Sequence, residues 1–358
     1  MIKMENSSNA AKLKVVGVGG AGGNAINDMI QSEINDVEFI AINTDQQDLD
    51  RSVAEKKVLL GKGMGAGADP EKGRIAAKES EEKIKEVLEG TDMLFITAGM
   101  GGGTGTGASP IVAEIAKSMG ILTVAVVTKP FEFEGALKKN NADAGIENLK
   151  EQVDTLIAIP NDKLFELPNV SITLMTAFKE ANSVLRVGIK GISDLITKQG
   201  FVNLDFADVK AIMQDSGIAM LGFGEGSGDG KAKTATEQAL NSPLLEKSIE
   251  GAQKVLLNIT AGQDIGLHEI REVSETVSQK TGSVGATLIW GVILDPELEG
   301  TIKVSLIATD FKEVKDVEKV TSGMVFTPHK EAANKTGTTP EKSKNAEKAT
   351  VENGAETE

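Results

Sequence analysis

Cysteine and tyrosine are absent from this 358-residue chain, tryptophan occurs once, and aromatic residues make up only 3%. Without cysteine there is no disulfide, no zinc–thiolate site and no thiol nucleophile, a state compatible with a reducing compartment. With so few rings the core must be aliphatic, and apolar residues at 40% supply enough of it for two domains or one large one. Positive charge is outnumbered: 38 Lys and Arg face 53 Asp and Glu, a formal net charge of −15. That argues against nucleic acid and anionic membrane as main partners, since both require a basic face. A local phosphate site remains open, because backbone N–H groups carry no formal charge. No apolar run approaches the roughly 20 residues of a membrane span. The opening MIKMENSSNAAK lacks the apolar core of a signal peptide. The expectation is a soluble, cytoplasmic protein without direct membrane insertion.

Glycine, by contrast, is abundant and placed with purpose. The first glycine-rich loop, Gly17–Asn24, follows the apolar strand Lys12–Val16. The second, Gly101–Gly107, follows Asp92–Ala98 and contains five glycines in seven residues. Glycine lets the backbone approach phosphate oxygens and aim several N–H donors at them. A helix starting at the loop adds its positive end. Two such loops suggest one polyphosphate gripped from two sides.

The pattern along the chain supports that reading. Strands are expected at Leu13–Val18, Val37–Asn43, Asp92–Ala98, Leu122–Thr128 and Thr155–Ile159. Helices are expected at Ala21–Gln31, Pro70–Leu88, Thr104–Ser118 and Leu137–Gln152. Strict alternation gives a parallel sheet with helices on both faces and the ligand loops along one edge. Leu174, Phe178, Ala181, Leu185, Ile189, Ile192 and Ile196 then recur at helical spacing. They predict a helix of about six turns, a core helix that can also be a spine between two domains. Beyond it, a helix at Phe206–Gln214, strands at Ser216–Phe223, Val255–Thr260, Ala286–Ile293 and Lys303–Ala308, and helices at Thr234–Leu240 and Leu267–Gln279 read as a second, smaller α/β domain with a mixed sheet. Gly222–Lys231 reads as a polar turn region. The expected division is a disordered 1–11, a nucleotide domain over 12–172, the helix over 173–199, a second domain over 200–312 and a disordered tail over 313–358.

Each motif has a plainer alternative. Gly17, Gly19 and Gly22 satisfy G-x-G-x-x-G after a strand, which alone would favour a nicotinamide or flavin enzyme, or merely a tight turn. Asn24 either reaches back over a ligand or caps its helix. The second loop discriminates, because a dinucleotide fold needs one pyrophosphate cradle. It offers Thr104 and Thr106 hydroxyls to phosphate or Mg²⁺, and without a following Lys it is not a Walker loop. Gly63–Pro70 either closes over the same pocket or is simply flexible. Asp205 fits a helix N-cap, with Asp208 favourable to the helix dipole. The same pair could instead orient water or a cation.

Taken together, GVGGAGGNAIN (17–27), AINTD (41–45), GMGAGADPEKG (63–73), TAGMGGGTGTGASP (97–110), PFEFEG (130–135), IPND (159–162) and NLDFADVK (203–210) resemble the FtsZ family of bacterial cell-division GTPases, related to tubulin. The resemblance runs collinearly over about residues 12–311. It implies a Rossmann-like GTPase domain, a long central helix and a second mixed-sheet domain. It implies GTP or GDP with Mg²⁺; no protein ligand to a metal is assigned. Gly19, Gly20, Ala21, Gly22 and Asn24, with Gly101, Gly102, Gly103, Thr104, Gly105, Thr106 and Gly107, would hold the phosphates. Asn43 belongs to the matching AINTD stretch of the nucleotide site, and Ala68 would approach the γ-phosphate. Glu134 would contact the ribose and Lys138 a phosphate. Phe178 would stack on guanine while Asn24, Asn161 and Asn182 read its edges. Asn203, Asp205 and Asp208 would act on the GTP of the next subunit in a head-to-tail homopolymer at the mid-cell division ring, with division-machinery proteins as possible further partners.

Four departures accompany the resemblance. Lys138 stands where the family usually has Arg, keeping charge but losing the bidentate fork. Asn182 stands where an Asp is common. The turn before GMGAGADP is short, and the family's C-terminal peptide is not evident. Two other functions compete with this one. A nicotinamide-dependent oxidoreductase is disfavoured by GGGTGTG and by the distance of His268 and His329 from any motif. A GTP-binding scaffold without hydrolysis is disfavoured by Asp205 and Asp208 but left open by Lys138.

Overall fold

The computed structural model describes residues 11–32, 34, 36–166, 173–198, 200–202, 204–245, 247–282 and 286–311. All of them fall within one compact unit. Residues 1–10 and 313–358, where disorder was expected, lie outside the described residues, as do Lys312 and His329. Ala11, expected to be disordered, packs against the core.

The first half runs β1 (Leu13–Val18), α1 (Gly19–Gln31), β2 (Val37–Asn43), α2 (Gln46–Arg51), β3 (Lys56–Leu59), α3 (Pro70–Glu79), α4 (Glu81–Leu88), β4 (Met93–Gly99), α5 (Thr104–Ser118), β5 (Leu122–Lys129), α6 (Ala136–Lys150) and β6 (Thr155–Pro160). The long helix α7 spans Leu174–Thr197 and α8 spans Phe206–Met213. The second half adds β7 (Gly217–Ile218), β8 (Met220–Ser227), α9 (Lys231–Leu240), β9 (Ala252–Ala261), α10 (Leu267–Thr281), β10 (Thr287–Leu294) and β11 (Thr301–Phe311).

Seven strands form one parallel sheet in the order β3-β2-β1-β4-β5-β6-β7. Alternation along each strand divides its side chains between two cores. Val15, Phe39, Phe95 and Val126 pack under α1 and α7. Val16, Ile40, Ile96 and Val127 pack under α3, α4, α5 and α6. The second sheet, β10-β9-β11-β8, is mixed: β9 and β10 are parallel, while β11 runs antiparallel to β9 and β8. Its core is Val, Ile, Leu and Ala beneath α9 and α10.

Three expectations are corrected. The single helix over Pro70–Leu88 is two helices that break at Ser80, the C-cap of α3 and N-cap of α4. The single strand over Ser216–Phe223 is two pieces in two sheets. Asp215 and Gly217 adopt positive φ, and the chain passes from the edge of the first sheet into the second. Gly222–Lys231 is mostly strand, not turn. Cβ atoms at Gly222, Gly224 and Gly226 would lie 2.3, 1.9 and 2.2 Å from carbonyl oxygens of α9, so glycine at every second position lets the helix settle on the strand backbone. Two elements were missed: β3, whose KKVL has one buried side chain, and the six-residue α2.

Lys14 is a buried cation in β1. Its ammonium donates to the carbonyls of Val87 (2.7 Å) and Glu89 (3.1 Å) at the end of α4, and lies 3.6 Å from Glu38. Burial pulls its pKa below the ordinary lysine value, with Glu38 opposing. Lys14→Met should lower the unfolding free energy by about 1–3 kcal/mol in urea melts, because two carbonyls lose their donor. The unfolded chain binds the Lys14 proton more tightly than the folded one. The wild type should therefore gain on the variant as pH rises toward 10.5.

Candidate functional site

β1 and β4 are neighbours, and the chain leaves them toward opposite faces, α1 to one core and α5 to the other. Such a switch point opens a crevice at the carboxyl edge of a parallel sheet. Both glycine-rich loops lie there.

The crevice holds a cavity of about 240 Å³. Its floor is Gly19, Gly20 and Ala21 from the start of α1, and Gly102, Gly103, Thr104 and Gly105 from the start of α5. Neither helix has a side-chain cap or an acidic residue in its first turn. Asp45, Asp69, Thr173 and Asp205 cap α2, α3, α7 and α8, whereas α4, α6, α9 and α10 are also without a side-chain cap. The two helices that point into the crevice are thus left with free N–H groups, the arrangement an anion requires.

The far wall comes from α6, α7 and the turn after β6. Phe178, Ala181, Asn182 and Leu185 line it from α7, with Asn161, Glu134 and Lys138 beside them. The Asn161 side-chain oxygen is buried and has no partner among the described residues. Phe178 breaks the apolar stripe of its helix: it is 44% exposed and meets buried Phe131 edge-on at 5.4 Å. Phe133 and Phe165 complete this cluster, which gathers four of the chain's eleven phenylalanines at the rim. Glu134 and Lys138, expected to meet ribose and phosphate, pair with each other at 2.8 Å.

The remaining site residues divide. Asn24 and Asn43 line an adjoining cavity of about 130 Å³ that shares Gly19 and Gly20. Asn24 sits inside α1, whose N-cap is Val18, so it does not cap that helix. Asn43 is held by Asp48 and by the Asp45 amide. Ala68 lies in the 60–69 loop with φ +59°, and its carbonyl accepts from Asn141. That loop rests on the second glycine loop, where a Cβ on Gly103 would meet Ala66 at 2.6 Å. Gly22, Gly101, Thr106 and Gly107 do not line either cavity. A Cβ on Gly22 would strike the Thr97 carbonyl at 2.4 Å, and one on Gly107 the Pro70 carbonyl at 1.8 Å. The Thr106 hydroxyl accepts the Gly101 N–H at 2.8 Å and so braces its own loop.

Asp205 and Asp208 stand elsewhere. They form a capping box at the start of α8, the Asp208 N–H donating to Asp205 at 2.8 Å and the Asp205 N–H to Asp208 at 3.3 Å. The end of α8 lies beside Leu122 and Asp154, which open β5 and precede β6. This is the amino edge of the sheet, opposite the crevice, with the 24 residues of α7 between. Asn203 lies outside the described residues. His268 is at the start of α10 and lines neither cavity.

Fold and site therefore define a phosphate-binding α/β protein with a doubly wound sheet and a two-helix cradle. Residues 12–169 match the GTPase domain of the Tubulin/FtsZ family, and residues 217–312 match the C-terminal domain of the FtsZ family. An empty FtsZ dimer from M. jannaschii is 50% identical over 85% of this chain and 89% of that chain, with a TM-score of 0.80. A GTPγS-bound protofilament of CetZ2 from Haloferax volcanii shares the fold at 22% identity and a TM-score of 0.72, over 86% of this chain and 95% of that one. The chain belongs to the Tubulin/FtsZ family, is a GTPase, and has a second domain of the FtsZ type. The oxidoreductase alternative falls with that assignment. Among the described residues, no helix is long and apolar enough to cross a membrane.

Proposed function

We propose that this protein is a GTP-driven homopolymer-forming GTPase of the cytoplasmic cell-division ring, whose hydrolytic site is completed only between subunits. The observation that carries the reading is the separation of the cradle from Asp205 and Asp208 by α7, at about 1.5 Å per residue some 36 Å long. One copy stacked on the next in the same orientation would bring its acidic pair over its neighbour's crevice. A head-to-tail contact of this kind does not close, so it propagates a filament. The relatives' dimer and protofilament structures support self-assembly.

Within the crevice, the N–H groups of Gly19–Ala21 and Gly102–Gly105 would take the phosphates, with Asn24 and Asn43 contributing from the adjoining cavity. Gly22, Gly101, Thr106 and Gly107 would support that cradle from behind, and Ala68 would near the γ-phosphate. Phe178 would stack on the base, and the unpartnered oxygen of Asn161 would accept a guanine N–H, with Asn182 beside it. Glu134 would turn to the ribose and Lys138 to phosphate as their pair opens. Among the described residues no cluster of three His, Asp or Glu could hold a metal. Mg²⁺ would offset phosphate charge, with the Thr104 hydroxyl of the cavity lining available to it. Asp205, Asp208 and Asn203 of the neighbour would orient the attacking water. The working division is 12–172, 173–199 and 200–312.

The direct test is right-angle light scattering. GTP should raise scattering above a critical protein concentration, and turnover per subunit should rise with concentration. GDP should do neither. Concentration-independent turnover would remove the shared site.

A further inference from the structure

Thr44, immediately after β2, is absent from the set of site residues legible in the sequence, yet it touches both the second glycine-rich loop of the crevice and the 60–69 loop that rests on it. Its hydroxyl oxygen is 2.6 Å from that of Thr104, and its carbonyl accepts the Gly65 N–H at 2.9 Å. Thr44 is 4% exposed. Thr104 is half-buried and lines the cavity.

We propose that Thr44 is a positioning residue that sets the polarity of the Thr104 hydroxyl, turning it into a hydrogen-bond donor toward a phosphate oxygen; this rests on the nucleotide reading above. A hydroxyl has one proton and two lone pairs. Between two hydroxyls only one can donate to the other. Were Thr104 the donor, the Thr44 proton would be buried without an acceptor, since the Thr104 oxygen is its only partner among the described residues. A buried unpaired donor is the costly arrangement. With Thr44 donating, its proton is satisfied and the Thr104 proton is released to the cavity. There it stands beside the N–H groups at the start of α5 and adds a donor aimed at anionic oxygen. The bond also fixes the Thr104 rotamer, so less freedom is lost when ligand arrives. The Thr44 carbonyl bond to Gly65 ties the 60–69 loop to the same point, so that loop and the second glycine loop are held from one residue.

The test is equilibrium binding of GDP and GTPγS to the full-length protein, below its assembly concentration, with variants T44V, T44S, T104V and T44V/T104V. Losing one neutral hydrogen bond corresponds to a weakening of about threefold to tenfold. T44V should weaken GTPγS binding by that factor and T44S should stay within about twofold of wild type. T44V should cost nothing further in the T104V background. Thermal melts of the nucleotide-free proteins report folding, and T44A, which removes the same hydroxyl without a second branch, serves if T44V does not fold. Wild-type affinity in T44V, failure of T44S to restore binding, or an equal T44V penalty with and without the Thr104 hydroxyl would each overturn the proposal. Wild-type protein that binds neither nucleotide would sink the nucleotide reading instead.

Discussion

Asp208→Ala should bind GTP with wild-type affinity while its GTP turnover falls about 100-fold or more, the usual scale for losing a group that positions or activates water. The reason is spatial. Asp208 lies in the first turn of α8, the helix whose far end sits at the sheet edge opposite the crevice. It lines neither cavity and exchanges hydrogen bonds with Asp205, so removing its carboxylate should leave the nucleotide's own contacts intact. Mixed with wild-type subunits, the variant should depress turnover below the wild-type share. A slowed site holds its two subunits together and delays exchange along the filament. Part of the loss has a structural source, because Asp208 also accepts the Asp205 N–H. Asp208→Asn keeps a capping oxygen and removes the charge, so it should fold as wild type and still fail in turnover. Normal hydrolysis by Asp208→Ala would end the shared-site mechanism.

Gly107→Ala should destabilise the nucleotide-free protein by about 3 kcal/mol or more, the upper range for overpacking. The new Cβ would lie 1.8 Å from the Pro70 carbonyl oxygen and 2.8 Å from the Arg74 N–H, both backbone atoms of α3. Helices α3 and α5 would have to separate. Gly102→Ala is the paired control. That glycine lines the cavity, and a Cβ there would meet nothing within 4 Å. It should melt with the wild type and lose affinity only for nucleotide. Melts that leave Gly107→Ala unchanged but show lost GTP binding would reverse the assignment, making Gly107 a phosphate contact and not a packing residue.

That contrast shows what was legible in the sequence. Both loops could be found because glycine runs follow apolar strands, and the strands of the first sheet alternate cleanly with helices. Which glycine faces ligand and which faces another backbone could not be found. Gly102 and Gly107 look alike in a string of GGGTGTG, and the difference lies in α3, which is distant in sequence. The same blindness applies to β8. Glycine at alternate positions mimics a turn region until α9 is seen lying on it. Phe178 was legible as part of an apolar stripe, and its stacking role followed only from family resemblance. Its half-exposure in the structure is what marks the stripe as interrupted. Thr44 lies within the AINTD stretch, but nothing there singles it out, because a hydroxyl that acts on another hydroxyl has no pattern of its own. Ser80 followed by Glu81 and Glu82 carries a helix-start signal, which the helical pattern continuing on both sides hid.

The passage of one backbone from the first sheet into the second has a mechanical consequence. The Gly217 N–H bonds to the Asp154 carbonyl and the Ala219 N–H to the Leu156 carbonyl, and from Met220 the strand belongs to the other sheet. Translation of the second domain along the strand direction must break those bonds at once. Rotation is opposed as well, because Leu244, Leu256 and Ile307 of the second domain share one core with α7 and the first sheet. The joint therefore acts as a weld: a single backbone hydrogen-bonded into both sheets transmits any displacement of the second domain to the edge strand of the first.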